Sequence, residues 1–148
     1  MNDIDKIREW LKGFPRYDIL EQFHVDYTDM APFNGGIFPA GMVENSRTED
    51  ILGNVTVENQ YNFGLYYVFE KASGDDIGSL ENADWVMDFQ RWVQEQSAAG
   101  LAPTFGDDPK REVMRAQNGA LYGVESDGTT AMYMIQLSAT FYKHFEVK

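Results

Sequence analysis

The chain has 148 residues, no cysteine, and 24 acidic against 12 basic residues, for a formal net charge of −12 at pH 7. That length fits one domain, residues 1–148, with a core of its own. Without cysteine there is no disulfide framework and no thiolate chemistry, and so acidic a surface is the wrong sign for gripping nucleic-acid phosphates. The stretch "MNDIDKIREW" has no apolar core like that of a signal peptide. The apolar runs fall short of the roughly 20 residues a membrane span requires. The expectation is a soluble chain, made in a cytoplasm, with no membrane partner.

Residues 3–12 read as a helix. Ile4, Ile7, Leu11 and then Phe14 recur at helical spacing, with Trp10 at the edge of the stripe. Asn2 or Asp3 serves as cap, and Gly13 with Pro15 ends the segment. "LEQFHVDYTD" (20–29) alternates Phe23, Val25 and Tyr27 as a strand does. "MAPFNGGIFPAG" (30–41), with its prolines and glycines, reads as a loop. A strand follows over 42–52, and Gly53-Asn54 reads as a two-residue hairpin turn.

The next stretch, "VTVENQYNFGLYYVFE" (55–70), alternates throughout. Val55, Val57, Tyr61, Phe63, Leu65, Tyr67 and Phe69 share one face, with Asn59 as the exception. At ~3.3 Å per residue such a strand is roughly 50 Å long, whereas a compact domain of this size is about 40 Å across. It must bend, or part of it must leave the body as a projecting β-hairpin.

"SGDDIGS" (73–79) breaks the pattern, and "NADWVMDFQRWVQEQSAAG" (82–100) reads as a helix capped by Asn82 or Ser79. Trp85, Val86, Phe89, Trp92 and Val93 fall on one arc, and Asp88, Arg91, Gln94 and Glu95 on the other. Gly100 and Pro103 stop it, and "LAPTFGDDP" is a loop. "REVMRAQ", "ALYGVES" and "TTAMYMIQLSATFYKHF" then read as three strands, divided by turns at Asn118-Gly119 and Asp127-Gly128. In the last of them Ala131, Tyr133, Ile135, Leu137, Ala139 and Phe141 share a face. The expected fold class is α+β: a mainly antiparallel sheet with two amphipathic helices packed on one face.

Chemistry-bearing patterns are sparse. The two histidines, His24 and His144, stand in no recognisable catalytic constellation, and two histidines without cysteine are too few for a zinc site. The glycine-rich 33–41 run lacks the Gly-Lys-Ser/Thr ending of a phosphate loop. The Asp pairs at 75–76 and 107–108, with Glu70 and Asp84, lack the spaced ladder of a calcium loop and read as solvated charge. No catalytic, cofactor-binding or metal residue is expected, and the chain reads as a non-enzyme. Tyr66 and Val68 on one strand, and Met132 and Met134 on another, put apolar groups on the otherwise polar sheet face. If those strands are neighbours, the second face carries a contact patch.

Four segments together bear a resemblance: "IREWLK" (7–12), "EDILGNVTVENQYNFGLYYVFE" (49–70), "ADWVMDFQRWVQEQSAAGLAP" (83–103) and "QNGALYGVESDGTTAMYMIQLSATFY" (117–142). In this order they resemble the tail terminator (tail-completion or minor capsid) proteins of long-tailed, non-contractile bacteriophages. The resemblance implies a virion subunit that closes into a homo-oligomeric ring, a hexamer on this reading. The ring would sit at the head–tail junction, on the tail tube protein below and against the head-completion connector protein above, with DNA passing through without specific binding. It implies no active site and no cofactor. The subunit interface expected on this reading comprises Ile51, Leu52, Val55 and Val57 on the hairpin arm, and Tyr66, Val68, Met132 and Met134 on the second sheet face. Two rival readings remain: a small acidic immunity or anti-restriction protein that blocks a basic partner by charge mimicry, and an enzyme with an unrecognised carboxylate site.

Overall fold

In the computed structural model, residues 2–16, 22–25, 34–70, 76–124 and 130–147 are described. Asn2 opens helix α1 (Asp3–Leu11) with a capping box. Its side-chain oxygen accepts the Asp5 N–H at 2.8 Å, and the Asp5 carboxylate accepts the Asn2 N–H at 3.3 Å. Ile7, Leu11 and Phe14 are buried on the face read from their spacing. Five strands follow, β1 (Gln22–Val25), β2 (Asn34–Glu49), β3 (Val55–Glu70), β4 (Val113–Val124) and β5 (Thr130–Phe145), with α2 (Asp76–Ala98) between β3 and β4. A 3₁₀ turn, Pro109–Arg111, precedes β4.

The sheet order is β1-β2-β3-β5-β4. β1 runs parallel to β2, and all other neighbours are antiparallel. β3 and β4 therefore run the same way with β5 between them, joined by α2, as a parallel crossover requires. Both helices lie on one face of the sheet. Ile7, Leu11 and Phe14 from α1, and Trp85, Val86, Phe89 and Val93 from α2, close over Phe63, Leu65 and Tyr67 of β3 and Tyr133, Ile135, Leu137 and Ala139 of β5. Each large apolar side chain buried there contributes about 1.5–3 kcal/mol before entropy is counted. The α+β class and the two-layer arrangement thus match the expectation.

The long strand is accommodated by pairing. β5 accompanies β3 over its whole length, from Val55 opposite Phe145 to Glu70 opposite Thr130, without a register shift. The far end of the β2–β3 hairpin is therefore the end of three strands, and β5 backs it. Beyond the helices, the 101–108 loop takes over the cover: Phe105 packs on Tyr61 (5.4 Å between ring centres) and on Phe141 (6.0 Å).

Four sequence expectations are corrected. Within 30–41, residues 34 onward are strand β2, not loop. Gly35 and Gly36 pair with Tyr67 and Tyr66 of β3, Pro39 pairs with Phe63, and among the described residues β1 pairs with Asn34–Ile37. The hairpin loop has five residues, 50–54, instead of a two-residue Gly53-Asn54 turn, because Asp50 organises it (below) and β2 ends at Glu49. Helix α2 begins at Asp76, inside the supposed 73–79 break. It ends as expected at Gly100 (φ +73°), where Gly100 N–H donates to Ser97 O and Leu101 N–H to Gln96 O, the paired bonds of a Schellman stop.

The fourth correction concerns Asn118-Gly119, which is a bulge inside one continuous strand, not a turn between two. Asn118 takes the left-handed conformation (φ +58°). The Gln90 side-chain amide then bridges the bulge, accepting the Gly119 N–H and donating to Ala116 O, both at 3.2 Å. Of the 20–29 strand only Gln22–Val25 is described, and the Asp127-Gly128 turn lies outside the described residues.

A Cβ at position 119 would overlap Val86 Cγ1 and Gln90 Oε1. Gly119→Ala is therefore expected to cost about 1–3 kcal/mol, read as a melting temperature lower by several degrees with unchanged far-ultraviolet dichroism.

Candidate interaction surface

The loop at the end of the β2–β3 hairpin is built around one carboxylate. Asp50 Oδ1 accepts the N–H groups of Leu52 (2.9 Å) and Asn54 (3.0 Å), and its Oδ2 accepts the Asn54 side-chain N–H at 3.1 Å. Gly53, at φ +87°, donates its N–H to Asp50 O at 3.0 Å, and Asp50 N–H returns to Asn54 O at 3.0 Å. Asp50 and Asn54 thus tie the two ends of the loop together. The Asn54 N–H foremost, with the Asn54 side chain and the Leu52 and Gly53 amides, holds the Asp50 carboxyl below its ordinary range.

The closed loop leaves its apolar side chains in water. Ile51 is fully exposed and Leu52 is 75% exposed. Beside them Phe145, opposite Val55, and Val147, whose N–H donates to Asn54 Oδ1 at 2.9 Å, are more than half exposed. The hairpin end is an apolar tip of four side chains from two segments. Ile51 and Leu52 were legible as members of it. Phe145 and Val147 were missed, because nothing local in "KHFEVK" shows that it returns beside residue 54.

A second apolar feature lies where β2 loses register. Between Pro39 and Met42 the ladder shifts, and Gly41 takes φ +81°. A groove opens at this shift, lined by Pro39, Gly41 and Met42 of β2, Tyr61 and Phe63 of β3, and Asn2, Asp3 and Ile4 at the start of α1. The Tyr61 hydroxyl donates to Asp3 Oδ2 at 2.6 Å. Burial, with that hydrogen bond and the Asp3 charge, pushes its pKa up to about 12. Met42 and Val43 are more than half exposed at this edge, and the sequence carried no sign of it because the bulge itself was unread.

The remaining interface candidates divide. β3 and β5 are neighbours, with Tyr66 directly opposite Met134 and Val68 opposite Met132. Tyr66, Met132 and Met134 are half-buried, and Phe38 meets Tyr66 edge-on at 4.9 Å. Val68 is 0% exposed and Val57 is buried as well, so both belong to the subunit's own packing, while Val55 is half-buried. Further along the same face come Gln60, Asn62, Gln117, Gln136 and Ser138, all uncharged. Asn45 bridges Glu58 (3.1 Å) and Gln60 (3.2 Å), and Asn118 donates to Gln136 at 2.9 Å.

His144 is exposed, its Nδ1 lies 2.9 Å from Thr56 Oγ1, and its backbone N–H donates to Asp107 Oδ2 at 2.8 Å. That bond foremost, with the Lys143 charge also contributing, holds the Asp107 carboxyl below its ordinary range. Asp107 therefore serves the loop and does not orient the ring, so the three residues form no relay. His24 lies on β1, and its side chain is outside the described residues. Asp108 pairs with Arg111 and Asp84 with Arg16. Among the described residues no three His, Asp or Glu converge on a metal position; Asp75 and the side chains of Glu70 and Asp76 lie outside them.

No protein-family model matches the chain, and no curated protein matches it.

Because the Asp50 carboxyl is depressed, its bonds are fully present above the ordinary carboxylate pKa of about 4 and are lost as the pH falls through the folded-state value. The Leu52 and Asn54 amide proton resonances are expected to shift together in that acid window. In Asp50→Ala the same resonances should start at the low-pH positions and cease to titrate.

Proposed function

We propose that the chain is a ring-forming structural subunit, a tail terminator or minor capsid protein of a long-tailed, non-contractile bacteriophage. On this reading about six copies close into a ring on the last tier of the tail tube and present the opposite surface to the head connector. The reading rests on the sequence resemblance. The observation that carries it is the apolar tip: Ile51 and Leu52 stand in water at the end of a loop that Asp50 and Asn54 tie closed. A monomer gains nothing from that arrangement, and exposed apolar groups gathered at one place mark a contact. The charge of −12 per chain agrees with a passage along which DNA moves without adhering. An acidic inhibitor of a basic partner shares the charge but gives the tip no role.

Light scattering after size exclusion over a range of concentrations tests the reading. Six copies of the 16.9 kDa chain make about 101 kDa, and a mass that climbs toward this value, or binding to the ends of purified tail tubes, is expected. The double variant Ile51→Ser/Leu52→Ser is expected to keep its fold and melting temperature while losing the high-mass species and the tube-end binding. Assembly of that variant at the wild-type concentration overturns the role of the tip.

A further inference from the structure

We infer that the hairpin tip of one copy, Ile51 and Leu52 with Glu49 and Glu146 beside them, docks on the β4 edge of a second copy, in the groove between α2 and β4 where Lys110 and Arg115 stand. The inference deepens the ring reading and rests on it.

The groove holds about 700 Å³ and follows the outer edge of β4 from Val113 to Gln117, with α2 as its other wall. Its backbone is already engaged. Ser97 Oγ accepts the Met114 N–H at 2.9 Å, and the Gln90 amide holds Ala116 O and the Gly119 N–H. A partner there meets side chains instead of an open strand edge. Most of the described cations are ion-paired, Arg91 of the groove wall among them. Among the described residues Lys110 and Arg115 are not, and both line this groove. Its one carboxylate, Glu112, accepts the Phe105 N–H at 2.7 Å and the Gly106 N–H at 3.0 Å through separate oxygens. A chain of net charge −12 thus brings two uncompensated positive charges to one place, over a floor that includes Val113, Ala116 and the exposed Ala98. Such a surface selects an occupant that is apolar and flanked by carboxylates.

The tip has that composition. Among the described residues three carboxylates have neither a cation nor a hydrogen bond: Glu49, Glu95 and Glu146. Glu49 precedes the tip loop and Glu146 lies between Phe145 and Val147, so two of the three flank the exposed Ile51 and Leu52. Glu95 is on α2 and does not line the groove. The unpaired charges of one sign therefore gather at the tip, and those of the other sign in the groove.

No segment of the same molecule can supply this occupant. The tip adjoins Phe145, whereas the groove begins opposite Thr140, five residues back along β5, and lies on the other side of β5 from the hairpin. That is at least ~16 Å along the strand, and the ladder holds it open. The segments outside the description are tied elsewhere. Residues 26–33 join β1 to β2 at the opposite edge of the sheet, and 17–21 lead from Arg16 to that same edge. Residues 71–75 and 125–129 join elements at the end of the sheet away from Val113, and are too short to turn back to it. Tip and groove are different surfaces, so the contact is head-to-tail, and repeated it closes a ring when the rotation per copy divides the circle.

Charge reversal tests the pairing. Lys110→Glu/Arg115→Glu and Glu49→Lys/Glu146→Lys are prepared separately and combined in one chain; all four side chains are exposed, so the melting temperature is expected to hold. Assembly is read as scattering mass against concentration and as binding to tail-tube ends. Each pair alone makes like charges face one another, and is expected to raise the concentration needed for assembly by ~tenfold or more. The combined chain, with both signs reversed, is expected to recover assembly. A combined chain as impaired as the separate pairs, or one pair that assembles normally while the other does not, means that the groove takes a different acidic segment and overturns the inference. A mass near 101 kDa reached by every variant at the wild-type concentration also overturns it while leaving the ring reading standing. A wild-type chain that stays monomeric throughout and does not bind tail tubes overturns both.

Discussion

The rest of the molecule depends on the ladder between β3 and β5. It runs from Val55–Phe145 to Glu70–Thr130 without one shift of register. Since side chains alternate across a strand, an unbroken ladder of this length fixes by parity which residue of either strand faces the helices. All the irregularity is displaced to the strands on either side. β2 shifts between Pro39 and Met42 and again between Glu44 and Ser46, and β4 shifts at Asn118-Gly119 and near Leu121. These departures do specific work. On β2 the bulge opens the groove beside α1. On β4 it removes a side chain where α2 presses closest, and the Gln90 amide takes up the freed backbone groups.

Aromatic side chains hold the helical layer to the sheet and the two helices to each other. Phe14 meets Trp85 and Phe89 edge-on at 5.3 Å each, Tyr67 reaches Trp85 at 4.6 Å, and Trp10 stacks on Trp92 at 4.8 Å with its N–H donated to Gln96. Such pairs add about 0.5–1.5 kcal/mol beyond their buried area. The ion pairs add little by comparison. Most are solvent-exposed pairs three residues apart, such as Lys12–Glu9 and Arg47–Glu44, a kind worth about 0–1 kcal/mol. Arg16 and Lys143 join distant segments: Arg16 lies within 3.3 Å of both Asp84 and Asp88 of α2, and Lys143 lies 3.8 Å from Asp107.

The central strands and the helix faces were legible in the sequence because periodicity is a property of the segment alone. Val57, Phe63, Leu65 and Tyr67, like Ile135, Leu137 and Phe141, are buried where alternation puts them. The misreadings share a different cause. Glycine, proline and Asn-Gly are turn signals, but the same residues serve bulges, edge strands and close backbone approaches, and only the neighbouring element decides between these uses. Asn118-Gly119 was decided by Gln90 and Val86, and residues 34–41 by pairing with β3 across the sheet. The interface candidates were partly legible for the same reason. Ile51 and Leu52 stand out in their own segment, whereas the burial of Val68 and the return of Phe145 and Val147 to the tip are long-range facts.

The same ladder governs how the chain reaches its structure. Its partners are between sixty residues apart (Glu70 with Thr130) and ninety (Val55 with Phe145). The β2–β3 hairpin can zip up locally, but its inner edge must wait until α2, β4 and β5 have been synthesised. Closing loops of that length before any pairing energy is recovered slows folding, toward the millisecond-to-second range typical of non-local sheets. During that interval β3 exposes both an apolar face and an open strand edge, a template for pairing with other nascent chains. The polar and acidic groups that share the hairpin, from Glu44 to Glu58, then act on kinetics more than on stability, keeping the waiting strand from the wrong partner until β5 arrives.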